Sequence, residues 1–419
     1  MAKETATIKF LTTMSPYASV PIKPLNIPGH LQILIPRFQI WEPEVRNQRM
    51  SASRNLGMHS VDLKWKLALD YSMDAEIMPG VSRLPGLRRR SSSWRPMWIL
   101  PNWEAERRFR VGVIGAGVIG ASWTALFLAK GLKVIVTDPA PGAESKVRDY
   151  LRQYCAAVPN ATVDPATCLG NFTFVNDIDP YLGSLDLIQE NGPERVDFKR
   201  RLFAHLDAKT PSHVLIASSS SGLPASQFVT ECTNNPARIL IGHPFNPPHL
   251  VPLVEIVPHP GTSQEYVSAA YQFYQSLDKD PVVVKQETPG FIANRLQGAV
   301  CAEAYSLVSR GIVSAEDLDK TVTSGLGLRW ALTGPIMTNT LGGGGDFRHF
   351  MDHLGPALKS WIDDMNQHRF DMASQDKVDA LKETVNEWVS QVDLRKREAD
   401  RDALLADLVR SKLDQAGKS

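Results

Sequence analysis

The sequence predicts an α/β fold: a doubly wound, mainly parallel sheet followed by an all-α C-terminal domain. Three observations point there. At Phe109 an irregular stretch gives way to a short apolar strand, Arg110 to Ile114, that runs directly into Gly115-Ala116-Gly117-Val118-Ile119-Gly120 and a helix. Strand-like and helix-like runs then alternate, the pattern of a parallel sheet with helices on its faces. After Thr288-Pro289-Gly290 the strand signals stop and the texture becomes helical.

Residues 1–108 read differently from the rest. They hold five of the nine tryptophans, show little periodicity, and carry 16 Lys+Arg against 9 Asp+Glu. The cluster Leu87-Arg88-Arg89-Arg90-Ser91-Ser92-Ser93-Trp94-Arg95-Pro96 has loop composition. We expect a poorly structured N-terminal extension or a misassigned start here, in preference to a basic binding tail. The helix opened by the glycines is predicted to run to Lys130, with Gly131 at its C′ position. A strand over Leu132 to Thr137 ends in Asp138, and buried parallel strands are predicted at 185–188 and 213–217 around a helix at 197–208. This makes 109–290 a dinucleotide-binding domain of Rossmann type and 291–419 a helical domain, with helices at 291–309, 314–324 and 355–366. The segment 377–413 is read as one amphipathic helix.

Composition narrows the class. Hydrophobic content of 43% and charged content of 22% fit a globular protein with substantial cores, and a net charge of +1 offers no field for nucleic acid or an anionic membrane. No run approaches the roughly 20 apolar residues of a membrane span. Cys155, Cys168, Cys232 and Cys301 are widely spaced and lack a zinc pattern, so they are expected as reduced, inert thiols with no metal bound. Ser411-Lys412-Leu413 spells a peroxisomal signal but is followed by six residues, and that signal is read only at a C-terminus. The expected compartment is the cytoplasm.

The glycine motif has the context that gives it weight. Gly115 permits the tight turn, Gly117 lets the backbone approach a pyrophosphate, and Gly120 allows close helix–strand packing. Val118 and Ile119 open a helix whose N–H groups face the phosphates. Asp138 stands where a carboxylate meets the adenosine ribose hydroxyls, and Pro139-Ala140-Pro141 supplies no arginine for a 2′-phosphate, so NAD is favoured over NADP.

The second constellation is His243-Pro244-Phe245-Asn246-Pro247-Pro248, with Glu255 twelve residues after the histidine. Imidazole titrates near neutrality and can exchange a proton with an alcohol, while a carboxylate on the other ring nitrogen would fix its tautomer. The serine run 218–221 follows a strand, at the edge where ligands bind in such sheets, and Phe291-Ile292-Ala293-Asn294-Arg295 opens the helical domain beside it.

These segments, in this order, resemble the 3-hydroxyacyl-CoA dehydrogenase family over about residues 109–350, in the branch of lambda-crystallin and L-gulonate 3-dehydrogenase, with carnitine dehydrogenase nearby. The resemblance implies that His243 is the base for a 3-hydroxyl and Glu255 its orienting acid. It also implies that Ser221 and Asn294 bond the substrate oxygen, that Asn246 holds the loop or the nicotinamide, and that Glu194 lies with the cofactor. His249 and His259 receive no catalytic role. A homodimer through the helical domain is implied likewise.

For the substrate, the roughly 50 residues between Asp138 and Gln189 are too few for the long helical arm of acyl-CoA members. Arg329, in Gly327-Leu328-Arg329-Trp330, is then read as a clamp on a small carboxylate or as a helix-terminal or inter-domain ion pair. Arg195, the run Gly342 to Gly345, and His349 depart from the patterns of the branch. The expected activity is NAD-dependent oxidation of a small L-3-hydroxy acid, or the reverse. The rivals are a dehydrogenase of acyl-CoA thioesters and a non-catalytic, crystallin-like NAD-binding protein.

Overall fold

The computed structural model describes residues 25–27, 31–33 and 109–416. In the N-terminal stretch, β1 (Leu25–Ile27) and β2 (Leu31–Ile33) pair antiparallel as a hairpin. The remainder of the expectation for 1–108 lies outside the described residues.

From Arg110 onward an eight-stranded sheet forms. Its strands are β3 (Arg110–Ile114), β4 (Lys133–Thr137), β5 (Phe172–Val175), β6 (Leu187–Glu190), β7 (Leu215–Ser218), β8 (Ile239–Pro244), β9 (Leu253–Pro258) and β10 (Asp280–Val283), in the order β10-β9-β8-β7-β6-β3-β4-β5. β3 pairs with both β4 and β6, so chain direction across the sheet reverses between β3 and β6. The crevice outside the carboxyl ends of these strands is where such sheets take ligands. Neighbouring pairs are parallel with one exception: β8 and β9 run antiparallel. That reversal was not legible in the alternating pattern, and it proves decisive for the site.

The strands are apolar on both faces because helices cover both. α1 (Val118–Ala129) has ten of its twelve residues buried, so it behaves as a core element rather than an amphipathic surface helix. α2 (Ala143–Tyr154) instead buries only Ala143, Val147 and Leu151, a four-residue stripe. One core layer packs Trp123 and Phe127 of α1 against Phe273 and Tyr274 of α5 (Gln264–Ser276); the opposite layer holds Phe203 and Phe228. Trp123 is fully buried, and its truncation to alanine would cost roughly 3–5 kcal/mol. The free cysteines Cys155, Cys168 and Cys232 lie in this interior, and burial pushes the thiols of Cys155 and Cys232 up to about 12, which makes both inert.

α3 (Pro165–Gly170) and α4 (Val196–Lys209) complete the sheet domain. The helical domain follows as α6 (Ala293–Ser309), α7 (Ala315–Thr321), a π turn (Val322–Leu326), α8 (Gly327–Gly342), α9 (Phe347–Gln367), α10 (Gln375–Val389) and α11 (Leu394–Ala416). The expected single helix over 377–413 is two, broken at 390–393. Asp393 is the physical reason: its side chain accepts from Lys396 N at 3.1 Å and its carbonyl from Arg397 N at 2.9 Å, a start signal for a new helix. Among the described residues no helix is long and apolar enough to cross a membrane.

Candidate active site

Three turns at the carboxyl edge of the sheet and the first turn of α6 build the site. The glycine turn joins β3 to α1. Gly115 adopts φ +89°, and a Cβ there would come within 2.7 Å of the Asn191 carbonyl oxygen. A Cβ on Gly120 would lie 1.9 Å from the Gly115 oxygen, so helix and strand approach this closely only with glycine at both places. Gly117 differs: nothing stands within 4 Å of its would-be Cβ. The free space over Gly117 lies outside the protein, as a pyrophosphate approaching the backbone needs. Gly117 also caps α1 without any side-chain cap, leaving the first N–H groups of the helix to a ligand. Val118 is 65% exposed at this mouth and Ile119 half-buried.

Asp138, at the end of β4, folds back onto the turn. Its carboxylate accepts from Ala116 N at 2.6 Å and Ala140 N at 2.8 Å. It lines a hollow of about 610 Å³ with Pro139, Gly142, Ser145, Phe174 and Asn176, and its remaining lone pairs are placed for ribose hydroxyls. The residues present therefore fit the cofactor expected from sequence.

The base comes from β8. Because β8 and β9 are antiparallel, His243 and Glu255 stand directly opposite each other in the ladder, and the twelve-residue spacing spans the turn that reverses the chain together with the strand ends on either side. His243 Nδ1 lies 2.8 Å from Glu255 Oε2, with both side chains buried. Burial raises the Glu255 pKa, but the His243 bond and the amides of Ala293 and Ile292 outweigh it, and the carboxyl ends below its usual range. An ionised Glu255 accepts the Nδ1 proton, leaving Nε2 as the unprotonated nitrogen that can take a proton from an alcohol. The rings of Phe245 and Phe291 stand edge-on to His243, each 5.5 Å away between centroids.

Glu255 has a second duty that sequence reasoning did not find. Its Oε1 accepts from Ile292 N at 2.8 Å and Ala293 N at 3.0 Å, capping α6 from a strand of the other domain. The chain enters this helix through Gly290 at φ +75° and Phe291 at φ +52°, the latter fully buried. One carboxylate thus orients the base and anchors the helix that carries Asn294. Asn294 Nδ2 donates to the Ser221 carbonyl at 2.7 Å, so the helical domain and the serine turn meet beside the base. Ser221 and Asn246 are both exposed here.

The serine turn is held from beneath. Glu194 Oε1 accepts from Ser220 Oγ at 2.6 Å and from the amides of Ser221, Gly222 and Leu223 at 3.0, 3.0 and 3.2 Å. Burial pushes this carboxyl up, yet the Ser220 hydroxyl, the amides and the Lys199 ammonium bring it below the usual range. Sequence assigned Glu194 to the cofactor; the structure turns it to the serine turn. Below it, the fully buried Glu190 takes two bonds from Lys199 Nζ, at 2.9 and 2.8 Å, and one from Ser218 Oγ at 2.5 Å. Ser219 Oγ is a saturated hub: it accepts from Trp123 Nε1 and Gln189 Nε2 and donates to Asn191 Oδ1 at 2.7 Å. Asn191 N in turn donates to Ile114 O under the glycine turn. The signal available in sequence for these residues was only polarity inside a strand, at Gln189 and Glu190.

Arg329 is placed differently. It is exposed on α8, its Nε donates to Gly325 O at 3.3 Å, and among the described residues no hydrogen bond joins it to His243, Ser221 or Asn294. His249 and His259 are structural. Burial pulls His249 down to about 4 and its Nδ1 lies 2.9 Å from Ser122 Oγ, while His259 Nε2 lies 3.0 Å from Pro236 O. Among the described residues no cluster could hold a metal ion.

Comparison with known domain families decides the reading. The model of the 3-hydroxyacyl-CoA dehydrogenase NAD binding domain matches residues 110–288, and that of the 3-hydroxyacyl-CoA dehydrogenase C-terminal domain matches 290–378. The chain belongs to the 3-hydroxyacyl-CoA dehydrogenase family. As a member it is an NAD-dependent oxidoreductase acting on a CH–OH group, and His243, Glu255 and the glycine turn have the chemistry that this needs. Among its relatives, a 3-hydroxyacyl-CoA dehydrogenase of Gibberella moniliformis is 52% identical over 312 residues, covering 74% of this chain and 96% of that protein. An L-carnitine dehydrogenase of Streptomyces coelicolor is 42% identical over 252 residues, covering 60% of this chain and 79% of that protein. A solved structure of an NAD+-dependent dismutase, 5-formyl-3-hydroxy-2-methylpyridine 4-carboxylic acid 5-dehydrogenase, is 26% identical with a TM-score of 0.57, over 73% of this chain and 98% of that one.

Proposed function

We propose that this dehydrogenase oxidises a small free L-3-hydroxy acid in preference to a CoA thioester. The observation that carries this is the stretch between β4 and β6. It holds only the twelve-residue α2, a short 3-10 turn, the six-residue α3, β5 and a second 3-10 turn, with no long helical arm to reach along a pantetheine chain. Relatives named L-carnitine dehydrogenase, at 39–44% identity, act on such an acid, since L-carnitine is a 3-hydroxybutanoate with a quaternary ammonium at its fourth carbon.

In this reading NAD, held by the Gly115–Gly120 turn and Asp138, would supply the acceptor for the hydride of the carbinol carbon. His243 Nε2 takes the hydroxyl proton, and the positive charge that results is stabilised by Glu255 across the ladder. Ser221 and Asn294 would bond the substrate oxygen, Asn246 would hold the loop or the nicotinamide, and Arg329 would pair with the carboxylate. A second copy of the chain would cover the apolar side chains of α8 and α9, giving a homodimer, and the cytoplasm remains the proposed compartment.

The test is NADH formation from a panel of free acids (L-carnitine, L-3-hydroxybutyrate, L-gulonate) and of 3-hydroxyacyl-CoA thioesters. Turnover of a free acid at a kcat/KM at least about tenfold above any thioester is the expected result. Turnover of thioesters alone would overturn the proposal, and NAD binding with no turnover in either panel would favour a structural NAD-binding role.

A further inference from the structure

Lys279 lies between α5 and β10 and is 5% exposed. Its ammonium points at the turn that joins β8, which carries His243, to β9. Nζ donates to the carbonyl of Pro248 and, at 2.7 Å, to that of Val251, while the Trp123 ring centroid lies 5.4 Å away. Three protons thus meet two carbonyls and an aromatic face.

The turn 244–252 needs such an anchor. Pro244, Pro247, Pro248 and Pro252 have no N–H to donate, so only part of its backbone can tie itself down. Its own bonds are Leu250 N and Val251 N to Pro247 O, and His249 N to Ser122 Oγ. All of these restrain the far half of the turn through N–H groups. Lys279 is the side chain that gathers its carbonyls, and the strand leaving this turn delivers Glu255 opposite His243.

A buried lysine is an expensive anchor. Burial, and then the positive charge of Lys130, pull its pKa down to about 7, and Lys130 itself is paired with Asp278 at 2.6 Å. An apolar side chain here would spare the cost of burying the ammonium but would leave the Pro248 and Val251 carbonyls without this donor, so the two effects on stability oppose each other.

We infer that Lys279 is a positioning residue for hydride transfer: its ammonium clamps the carbonyls of Pro248 and Val251 and so sets the turn that holds His243, Asn246 and Glu255 in register. Lys279 touches neither substrate nor cofactor; it acts through the turn.

The test compares wild type with Lys279→Met by three readouts. Amide hydrogen exchange at Leu250 and Val251 should speed up by about tenfold or more, a measurement that needs no substrate and stands apart from the proposed free-acid specificity. With the substrate found in the panel above, kcat should fall by at least about tenfold, with NAD affinity unchanged within about twofold. Thermal stability should change little, because the relieved desolvation of the ammonium and the loss of a donor to two carbonyls oppose each other. Unchanged exchange, or unchanged kcat in folded Lys279→Met, overturns the inference. So does a drop in stability with kcat per folded molecule intact, which would mark Lys279 as a packing residue. Should Lys279→Met fail to fold, Lys279→Gln is scored by the same three readouts and the same criteria.

Discussion

The sheet domain and the helical arm formed by α8 and α9 carry apolar residues in opposite ways. In the sheet domain Trp123, Phe127, Phe203 and Leu187 are fully buried, and the polar groups among them are bonded, as Glu190 is by Lys199 and Ser218. In the arm no residue is buried: Leu328, Leu332, Ile336 and Leu341 on α8 and Met351, Trp361 and Ile362 on α9 are each between 42% and 70% exposed. Gly334, at φ +66° and ψ 170°, breaks α8, so Leu328 and Leu332 stand before the break and Ile336 and Leu341 after it. Exposed apolar side chains in this number are unusual on a free surface. The difference teaches that the polar groups around His243 are held within one chain, whereas the arm leaves its apolar side chains open. Four experiments break or sharpen that contrast.

The largest effect belongs to the base. His243→Gln should lower kcat by about 10²–10⁴ while NAD binding, followed by fluorescence titration, is unchanged. Retained turnover would remove His243 from the chemistry. Next comes the glycine turn: Gly120→Ala puts a Cβ 1.9 Å from the Gly115 oxygen, a backbone atom that cannot yield without moving β3. A loss of roughly 1–3 kcal/mol in denaturant unfolding, with weakened NAD binding, is expected. An alanine variant that binds NAD as well as wild type would mean that the turn relaxes.

The arm is tested by Leu332→Asp together with Ile336→Asp. If a second copy covers these side chains, sedimentation should show the mass falling to that of one chain, while the unfolding of the sheet domain is little changed. A wild-type chain that sediments as a monomer would sink the idea. The smallest effect concerns pH. The folded-state pKa values of Glu255 and Glu194 lie below 4.5, so both contribute stability that is present above that value and is lost as pH falls through the folded values. Denaturation midpoints followed downward from pH 5 should therefore decline, and the decline should be shallower in Glu255→Gln. Equal slopes in the two proteins would show that Glu255 is not a source of the acid limb.

Several parts of this protein were open to sequence reasoning because their signals are local. The glycine turn, the helix ending at Gly131 and the acid at Asp138 follow from periodicity and backbone conformation over about 30 residues. The helical texture after Gly290 is of the same kind. The pairing of His243 with Glu255 could be suspected from type and spacing, but a twelve-residue interval is compatible with many geometries. Only the antiparallel register of β8 and β9 sets the two side chains opposite each other, and register is decided by packing across the sheet.

The remaining assignments were tertiary in the same sense. Glu255 caps α6 because the two domains meet at that point, Glu194 lies under the serine turn because β6 and β7 are neighbours, and Lys279 reaches Pro248 because β10 pairs with β9. Arg329 stands on an exposed helix because α8 leaves the sheet domain rather than closing on it. By itself the sequence determined the fold class, the glycine loop and the candidate for the base. The tertiary structure decided which buried polar groups hold that base in place, because hydrogen-bond partners distant in sequence become neighbours only once the sheet has set its order.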